Sequence, residues 1–164
     1  MRILVVADTH LSADRASDIV DIVGRERLEA ADVILHAGDV VDAQVLAELE
    51  AFAPIHAVDG NNDRDLDVPT ELTVELGPIR VAMIHDSGPS AGRGPRLARR
   101  FPDADVVVFG HSHLPWNEVH EADGRTQRHL NPGSPTQRRR APTKTIAWID
   151  VAPDGSITCT HDDV

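Results

Sequence analysis

Five short apolar runs in this chain each stop at a polar cluster, and that arrangement limits the folds open to it more than any other feature. The run at 2–7 (RILVVA) stops at Asp8-Thr9-His10, the run at 32–36 (DVILH) leads into Gly38-Asp39, and the run at 55–58 (IHAV) leads into Gly60-Asn61-Asn62-Asp63. Residues 79–84 stop at His85, and residues 105–109 (DVVVF) stop at Gly110-His111-Ser112-His113. Continuous apolar runs of this length, bounded by turn residues, suit strands buried on both faces.

What lies between the runs sets their direction. Residues 13–30 carry Ile19, Val20, Ile22, Val23 and Leu28 among charges, which predicts one amphipathic helix. Asp42 is placed to cap a helix over 43–52, with Val45, Leu46 and Leu49 turned inward. Strands alternating with helices predict a parallel sheet joined by right-handed crossovers. The second half is richer in hairpin signals. Segments 70–76 and 79–84 flank Gly77-Pro78, segments 117–121 and 126–130 flank Asp123-Gly124, and segments 144–151 and 156–160 flank Pro153-Asp154-Gly155. A further helix is expected over 92–101. Many strands with few helices predict two packed sheets with helices outside, rather than one doubly wound sheet.

At 164 residues the chain is expected to form a single domain, 1–164, with a core of its own. Aromatics are only 3% of it, so that core has to come from Val, Ile, Leu and Ala. The net charge of −11 opposes general nucleic-acid binding, which rests on Lys and Arg. An anionic substrate then needs a locally positive site, which bound cations supply. The one cysteine, Cys159, rules out a disulfide within the chain and a thiolate metal cluster, and fits a reducing compartment. No apolar run approaches the roughly 20 residues of a membrane span, so a cytoplasmic protein without a membrane is expected. A homo-oligomer is left open.

In α/β sheets ligands bind beyond the carboxyl ends of the strands. Here those ends carry Asp8, His10, Asp39, Asn61, His85, His111 and His113, all able to hold a metal ion. Asp8 and His10 are two apart, as are His111 and His113, so in extended geometry each pair points the same way. Carboxylates, imidazoles and an amide suit Mn²⁺, Fe or Zn²⁺ better than a soft metal. Seven ligands exceed what one tetrahedral ion uses. With a bridging carboxylate and a bridging water they fit two ions about 3.5–4 Å apart. Taken alone, Gly38-Asp39 and Gly60-Asn61-Asn62-Asp63 read most simply as turns and Asp8-x-His10 is a weak signal, while Gly110-His111-Ser112-His113 is a stronger one; their joint occurrence carries the reading. Among the other histidines, His36 reads as packed behind the ligands, and His56, His120, His129 and His161 as structural or solvent-facing. Trp116 and Trp148 read as core or edge residues. The run Arg138-Arg139-Arg140 reads first as a solvated loop, with a phosphate clamp as the sharper alternative.

Asp8-x-His10, Gly38-Asp39, Gly60-Asn61-x-Asp63, His85 and Gly110-His111-x-His113 together resemble the motif series of the calcineurin-like metallophosphoesterases. With Asn131-Pro132-Gly133-Ser134 and the short chain, they look like its small YfcE-type phosphodiesterase branch, to which a eukaryotic retromer subunit is related. The resemblance implies a four-layer α/β/β/α sandwich of two mixed sheets flanked by helices. It implies one metal on Asp8, His10, Asp39 and His113, and a second on Asp39, Asn61, His85 and His111, with Asp39 bridging. Mn²⁺ leads, with Fe, Zn²⁺ or Ni²⁺ as other candidates. The candidate catalytic residues are Asp39, Asn62, Asp63 and His111, Asp63 steadying the loop. A small phosphodiester is the expected substrate, hydrolysed by in-line attack of a metal-bridging hydroxide. The alternatives are a phosphomonoesterase or nucleotide phosphatase, and a protein-binding scaffold like the retromer relative. Two positions depart from the family. Asn62 stands where many members carry His; an amide does not titrate, so Asn62 is expected to donate a hydrogen bond to a phosphoryl oxygen instead. Asp86 stands where Gly is usual and either adds charge near a metal or turns outward.

Overall fold

The computed structural model describes residues 1–122 and 124–164; Asp123 of the Asp123-Gly124 turn lies outside them. The order along the chain is β1 (Arg2–Val6), α1 (Asp18–Val23), α2 (Arg25–Glu29), β2 (Val33–His36), α3 (Ala43–Glu50), β3 (Ile55–Ala57), β4 (Glu71–Leu76), β5 (Ile79–Ile84), α4 (Arg93–Arg100), β6 (Val106–Val108), β7 (Trp116–Ala122), β8 (Arg125–Asn131), β9 (Thr145–Val151) and β10 (Ile157–Asp163). Two five-stranded mixed sheets result, ordered β10-β9-β1-β2-β3 and β4-β5-β6-β8-β7.

The strand alternation divides the core into three layers of contact. In β1, Ile3 and Val5 face the second sheet, where they meet Val81, Met83, Val106, Val108 and Leu130. Leu4 and Val6 face the other way, against Ile19, Val23, Leu28, Val45 and Leu49 from α1, α2 and α3. The outer face of the second sheet packs Ala82, Val107 and Phe109 against Leu97 and Phe101 of α4. The architecture is therefore a four-layer α/β/β/α sandwich. Ile3, Leu4, Val5 and Val6 are fully buried, and each such side chain contributes about 1.5–3 kcal/mol.

Asp42 caps α3 as its position suggests, accepting the Gln44 N–H at 2.9 Å. The single helix expected over 13–30 is a correction. A 3₁₀ turn at Ala13–Arg15 precedes α1, and Gly24 separates α1 from α2 at φ 93°, ψ 123°. That backbone is open to glycine and closed to the residues around it. It lets the chain turn a corner while Val23 and Leu28 both stay buried.

The parallel pairs decide where chemistry can gather. β1, β2 and β3 run parallel, and so do β5, β6 and β8. Their carboxyl ends open onto one edge of the sandwich. The edge therefore receives the ends of six strands, including β8, whose end the sequence reading had not used as a source of site residues.

Candidate functional site

Asp8, at the end of β1, is fully buried, and neither carboxylate oxygen has a hydrogen-bond partner among the described residues. A carboxylate hidden from water without a donor costs several kcal/mol unless a cation accompanies it. Its neighbours are suited to share one. Asp8 Oδ1 lies 3.3 Å from His113 Nε2 and 3.9 Å from His10 Nε2, and the two imidazole nitrogens lie 3.2 Å apart. Asp39 closes this nest with Oδ2, 3.4 Å from His10 Nε2.

The other Asp39 oxygen faces a second nest. Oδ1 lies 3.4 Å from His85 Nε2, which is 3.1 Å from Asn61 Oδ1, which is 2.8 Å from His111 Nδ1. Donor atoms about 2.1 Å from a single ion sit roughly 3.0–3.4 Å apart. Most of these pairs have that spacing, with Asn61–His111 at 2.8 Å closer and Asp8–His10 at 3.9 Å wider, so the residues present fit a divalent cation in each nest. The sets Asp8, His10, His113 and Asp8, Asp39, His85 each bring their donor atoms within 4.8 Å of one another. The structure thus brings together all seven side chains named from the sequence.

The backbone achieves this in an unexpected way. Extended geometry at Asp8 and His10, and at His111 and His113, is corrected: all four are left-handed, with φ of 55°, 46°, 67° and 57°. Asp39 is left-handed too, at 56°, and β-branched Val41 at 82°. Such conformations cost on the order of 1–3 kcal/mol each. The chain curls past each strand end, so the side chains converge inward instead of alternating. Asp63 holds the curl around Asp39: its carboxylate accepts the N–H groups of Asp39 (3.0 Å), Val41 (2.7 Å) and Gly60 (2.7 Å). Asp8 N–H donates to Gly38 O at 2.9 Å, and His10 N–H to Asp39 O at 3.1 Å. Gly60 has to be glycine, since a Cβ there would run into the Asp39 backbone nitrogen and carboxylate.

Hydrogen bonds behind the ligands fix their orientation. His85 Nδ1 donates to Ala37 O at 2.7 Å and His113 Nδ1 to Gln137 O at 2.5 Å, which turns each Nε2 into its nest, where a binding cation would displace any proton it carries. Burial alone would raise the Asp39 carboxyl, but hydrogen bonds from His85 and from the Asn62 backbone and side chain outweigh it and hold it well below the usual carboxylate range. Burial lowers His10, against the opposing pull of Asp39 and Asp8. Asn62 lies with its amide on Asp39 Oδ2 at 2.6 Å and its N–H on Oδ1 at 2.8 Å, so in this structure it orients Asp39. Asp86 turns outward and accepts the Gly88 N–H at 2.7 Å.

His36 is packed behind the site with Nε2 3.0 Å from Thr9 Oγ1, and burial lowers its pKa to about 4. His120 and His129 stack at 5.6 Å under α4, and His161 reaches Asn131 O at 2.7 Å. Trp148 is core, and Trp116 lies on the edge strand under the Arg93 guanidinium. The reading of the sequence missed the contribution of the β8 end. Asn131 is buried and donates to Gly110 O at 2.8 Å, which steadies the turn that carries His111. Ser134 Oγ donates to Asp8 O at 2.8 Å and Thr136 Oγ1 to Thr9 O at 2.8 Å. The available signal was a polar tract, 131–137, following a strand and lacking any apolar period.

The family description "Calcineurin-like phosphoesterase superfamily domain" matches residues 1–154. A probable metallophosphoesterase of Methanothermobacter thermautotrophicus is 38% identical over 157 residues, covering 92% of this chain and 87% of its own. Vps29 of Entamoeba histolytica, solved in complex with Zn²⁺, aligns with a TM-score of 0.69 at 22% identity over 99% of both chains. YfcE, a phosphoesterase from E. coli, aligns with a TM-score of 0.64 at 22% identity over 99% of both chains.

Proposed function

Because the chain belongs to the calcineurin-like phosphoesterase superfamily, we propose that its two nests hold two divalent cations and that it hydrolyses phosphodiesters. One observation carries the reading: the two oxygens of a single buried carboxylate, Asp39, face separate sets of donors, one oxygen to each. Asp8, His10 and His113 complete one set, and Asn61, His85 and His111 the other. These carboxylate, imidazole and amide donors accept Mn²⁺, Fe, Zn²⁺ or Ni²⁺, and Mn²⁺ is the ion we expect to support turnover. When bound, such ions lower the pKa of a coordinated water toward 7 and neutralise charge on phosphoryl oxygens.

The chain's own residues do the rest. Asp8 and Asp39 fix the positions of positive charge at an edge of a protein whose net charge of −11 otherwise repels phosphate. The Ala37 and Gln137 carbonyls keep Nε2 of His85 and His113 turned into the nests. Asp63 locks the Asp39 loop, and Asn62 aims the Asp39 carboxylate. His111 is exposed at the mouth, beside the entry path of a substrate. Since the Asn62 amide delivers no proton to a leaving alkoxide, the site suits esters whose leaving group departs as a stable anion. Aryl phosphodiesters meet that condition. The intact ligand set favours an enzyme over a scaffold, which needs none of these seven residues. Among the described residues no helix is long and apolar enough to cross a membrane.

The test joins elemental analysis of the purified protein to rates on bis-p-nitrophenyl phosphate and p-nitrophenyl phosphate with added Mn²⁺. Two ions per chain and faster diester turnover are expected. A metal-loaded protein that turns over only the monoester would make it a phosphomonoesterase, and one inert to both esters would remove the enzyme reading.

A further inference from the structure

Three consecutive arginines, Arg138, Arg139 and Arg140, follow the β8 end, and the structure treats them differently. Arg138 folds back on its own loop, with Nη1 donating to Ala141 O at 3.2 Å and Pro142 O at 3.3 Å. Arg140 is exposed and makes no side-chain hydrogen bond among the described residues. Arg139 alone reaches the site: its Nη1 donates to the carbonyl oxygen of His111 at 3.3 Å.

The loop that carries Arg139 is pinned at both ends. Upstream, Ser134 and Thr136 hang on the Asp8 and Thr9 carbonyls, and Gln137 O takes the His113 Nδ1 proton. Downstream, the Ala141 N–H closes on Arg138 O at 2.8 Å, and Ala141 is 2% exposed. Arg139 sits at the apex with φ 46°, a left-handed backbone that ordinary residues adopt at a cost. The side chain is solvent-exposed, forms no ion pair among the described residues, and has four further N–H donors beyond the one on His111 O. An unpaired guanidinium held at the rim of a charged nest in an acidic protein is the chemistry that takes a phosphate oxygen.

We propose that Arg139 binds the scissile phosphoryl group, its free guanidinium face taking a non-bridging oxygen of the ester seated over the two nests. This rests on the phosphoesterase reading above. It makes Arg139 a substrate-binding residue and leaves Arg138 and Arg140 as loop residues.

The experiment compares Mn²⁺-loaded wild type with Arg139→Ala, Arg139→Lys, Arg138→Ala and Arg140→Ala. It measures KM and kcat on bis-p-nitrophenyl phosphate, calorimetric binding of inorganic phosphate, and metal content. A lost charge-assisted pair should raise KM and weaken phosphate binding roughly ten- to a hundredfold in Arg139→Ala, with kcat within about threefold and metal content unchanged. Arg139→Lys should recover part of the loss, because an ammonium restores the charge without the fork. Arg138→Ala and Arg140→Ala should match wild type. Lower kcat or metal content with unchanged KM and phosphate binding would mean that Arg139 only steadies His111, and the proposal falls. Equal effects at all three arginines would indicate a diffuse field and overturn it as well. If wild type hydrolyses no ester but phosphate binding still depends on Arg139 alone, the phosphoesterase reading fails and the anion site stands.

Discussion

Removing the Asp63 carboxylate separates the clamp from the ligands it serves. Three backbone N–H groups, at Asp39, Val41 and Gly60, converge on its two oxygens, Oδ2 taking two of them and Oδ1 one. Hydrogen bonds to a charged group contribute about 1.5–3 kcal/mol each. Asp63 is half-buried, so solvent screens part of that and water replaces some partners in Asp63→Ala. A loss of about 3–4 kcal/mol follows, and in a chain of this size that lowers Tm by roughly 6–16 °C. Two of the freed donors belong to Asp39 and Val41, whose left-handed backbone loses its restraint, so metal affinity should fall as well. Asp63→Asn grades the effect. Its single carbonyl oxygen can keep the Oδ2 pair, but its NH₂ then faces the Val41 N–H, donor against donor. It should therefore fall between wild type and Asp63→Ala. Urea unfolding of metal-free protein and Mn²⁺ titration calorimetry give the two quantities. An Asp63→Ala protein within 1 kcal/mol of wild type and binding Mn²⁺ equally well would refute the clamp.

Other consequences can be checked on the same material. Asp39→Asn should abolish turnover and cut the metal content below two ions per chain, whereas retained activity would contradict the bridging role. Gly60→Ala should lose metal binding in a still-folded protein, since the new Cβ meets the Asp39 backbone and carboxylate; near-normal metal content would show that the loop can give way. His36 and His129 have pKa values lowered to about 4 by burial. Unfolded, each takes a proton near 6.5, so the unfolded state binds more protons between these values; stability is whole above about pH 6.5 and falls toward pH 4, by on the order of 3 kcal/mol per histidine. Urea midpoints of metal-free protein that do not shift between pH 7.5 and 4.5 would rule this out. Adding Mn²⁺ at a hundred times its Kd should stabilise the chain by about 2.7 kcal/mol per site, seen as a higher Tm that a chelator reverses.

Position along the chain proved easier to read than direction in space. Apolar runs and their polar stops marked the strands, and Asp42 and Gly77-Pro78 marked a cap and a turn, because each signal is local. The two-sheet division was legible from the change of pattern between the halves. The left-handed curl at Asp8, His10, His111 and His113 was not, since nothing in an Asp-x-His or His-x-His triplet distinguishes it from an extended one. It depends on partners far along the chain, such as Asp63 for Asp39 and Ser134 for Asp8. Gly24 could have been read as a helix break, but the apolar spacing on either side of it continues the helical pattern. The share of the β8 end was hidden for a topological reason. Only the parallel pairing of β6 with β8 brings residues 131–139 to the same edge as the other strand ends.

With the proposed cations in place, the same topology would let an acidic chain hold an anion. A strand end gives its last residue no further ladder partners, so the backbone there is free to curl and its side chains to converge. Six parallel ends meeting at one edge multiply that freedom, while the buried strands behind them supply the stability that offsets left-handed backbone and an unpartnered Asp8 carboxylate. Carboxylates collected there do not repel phosphate once cations occupy the nests, because the cations carry more charge than the two aspartates that face them. On the proposal above, Arg139 would then extend the positive region outward from the nests to the rim. Acidity elsewhere on the surface sharpens the contrast: the edge becomes the place where an approaching phosphoester is drawn in rather than turned away.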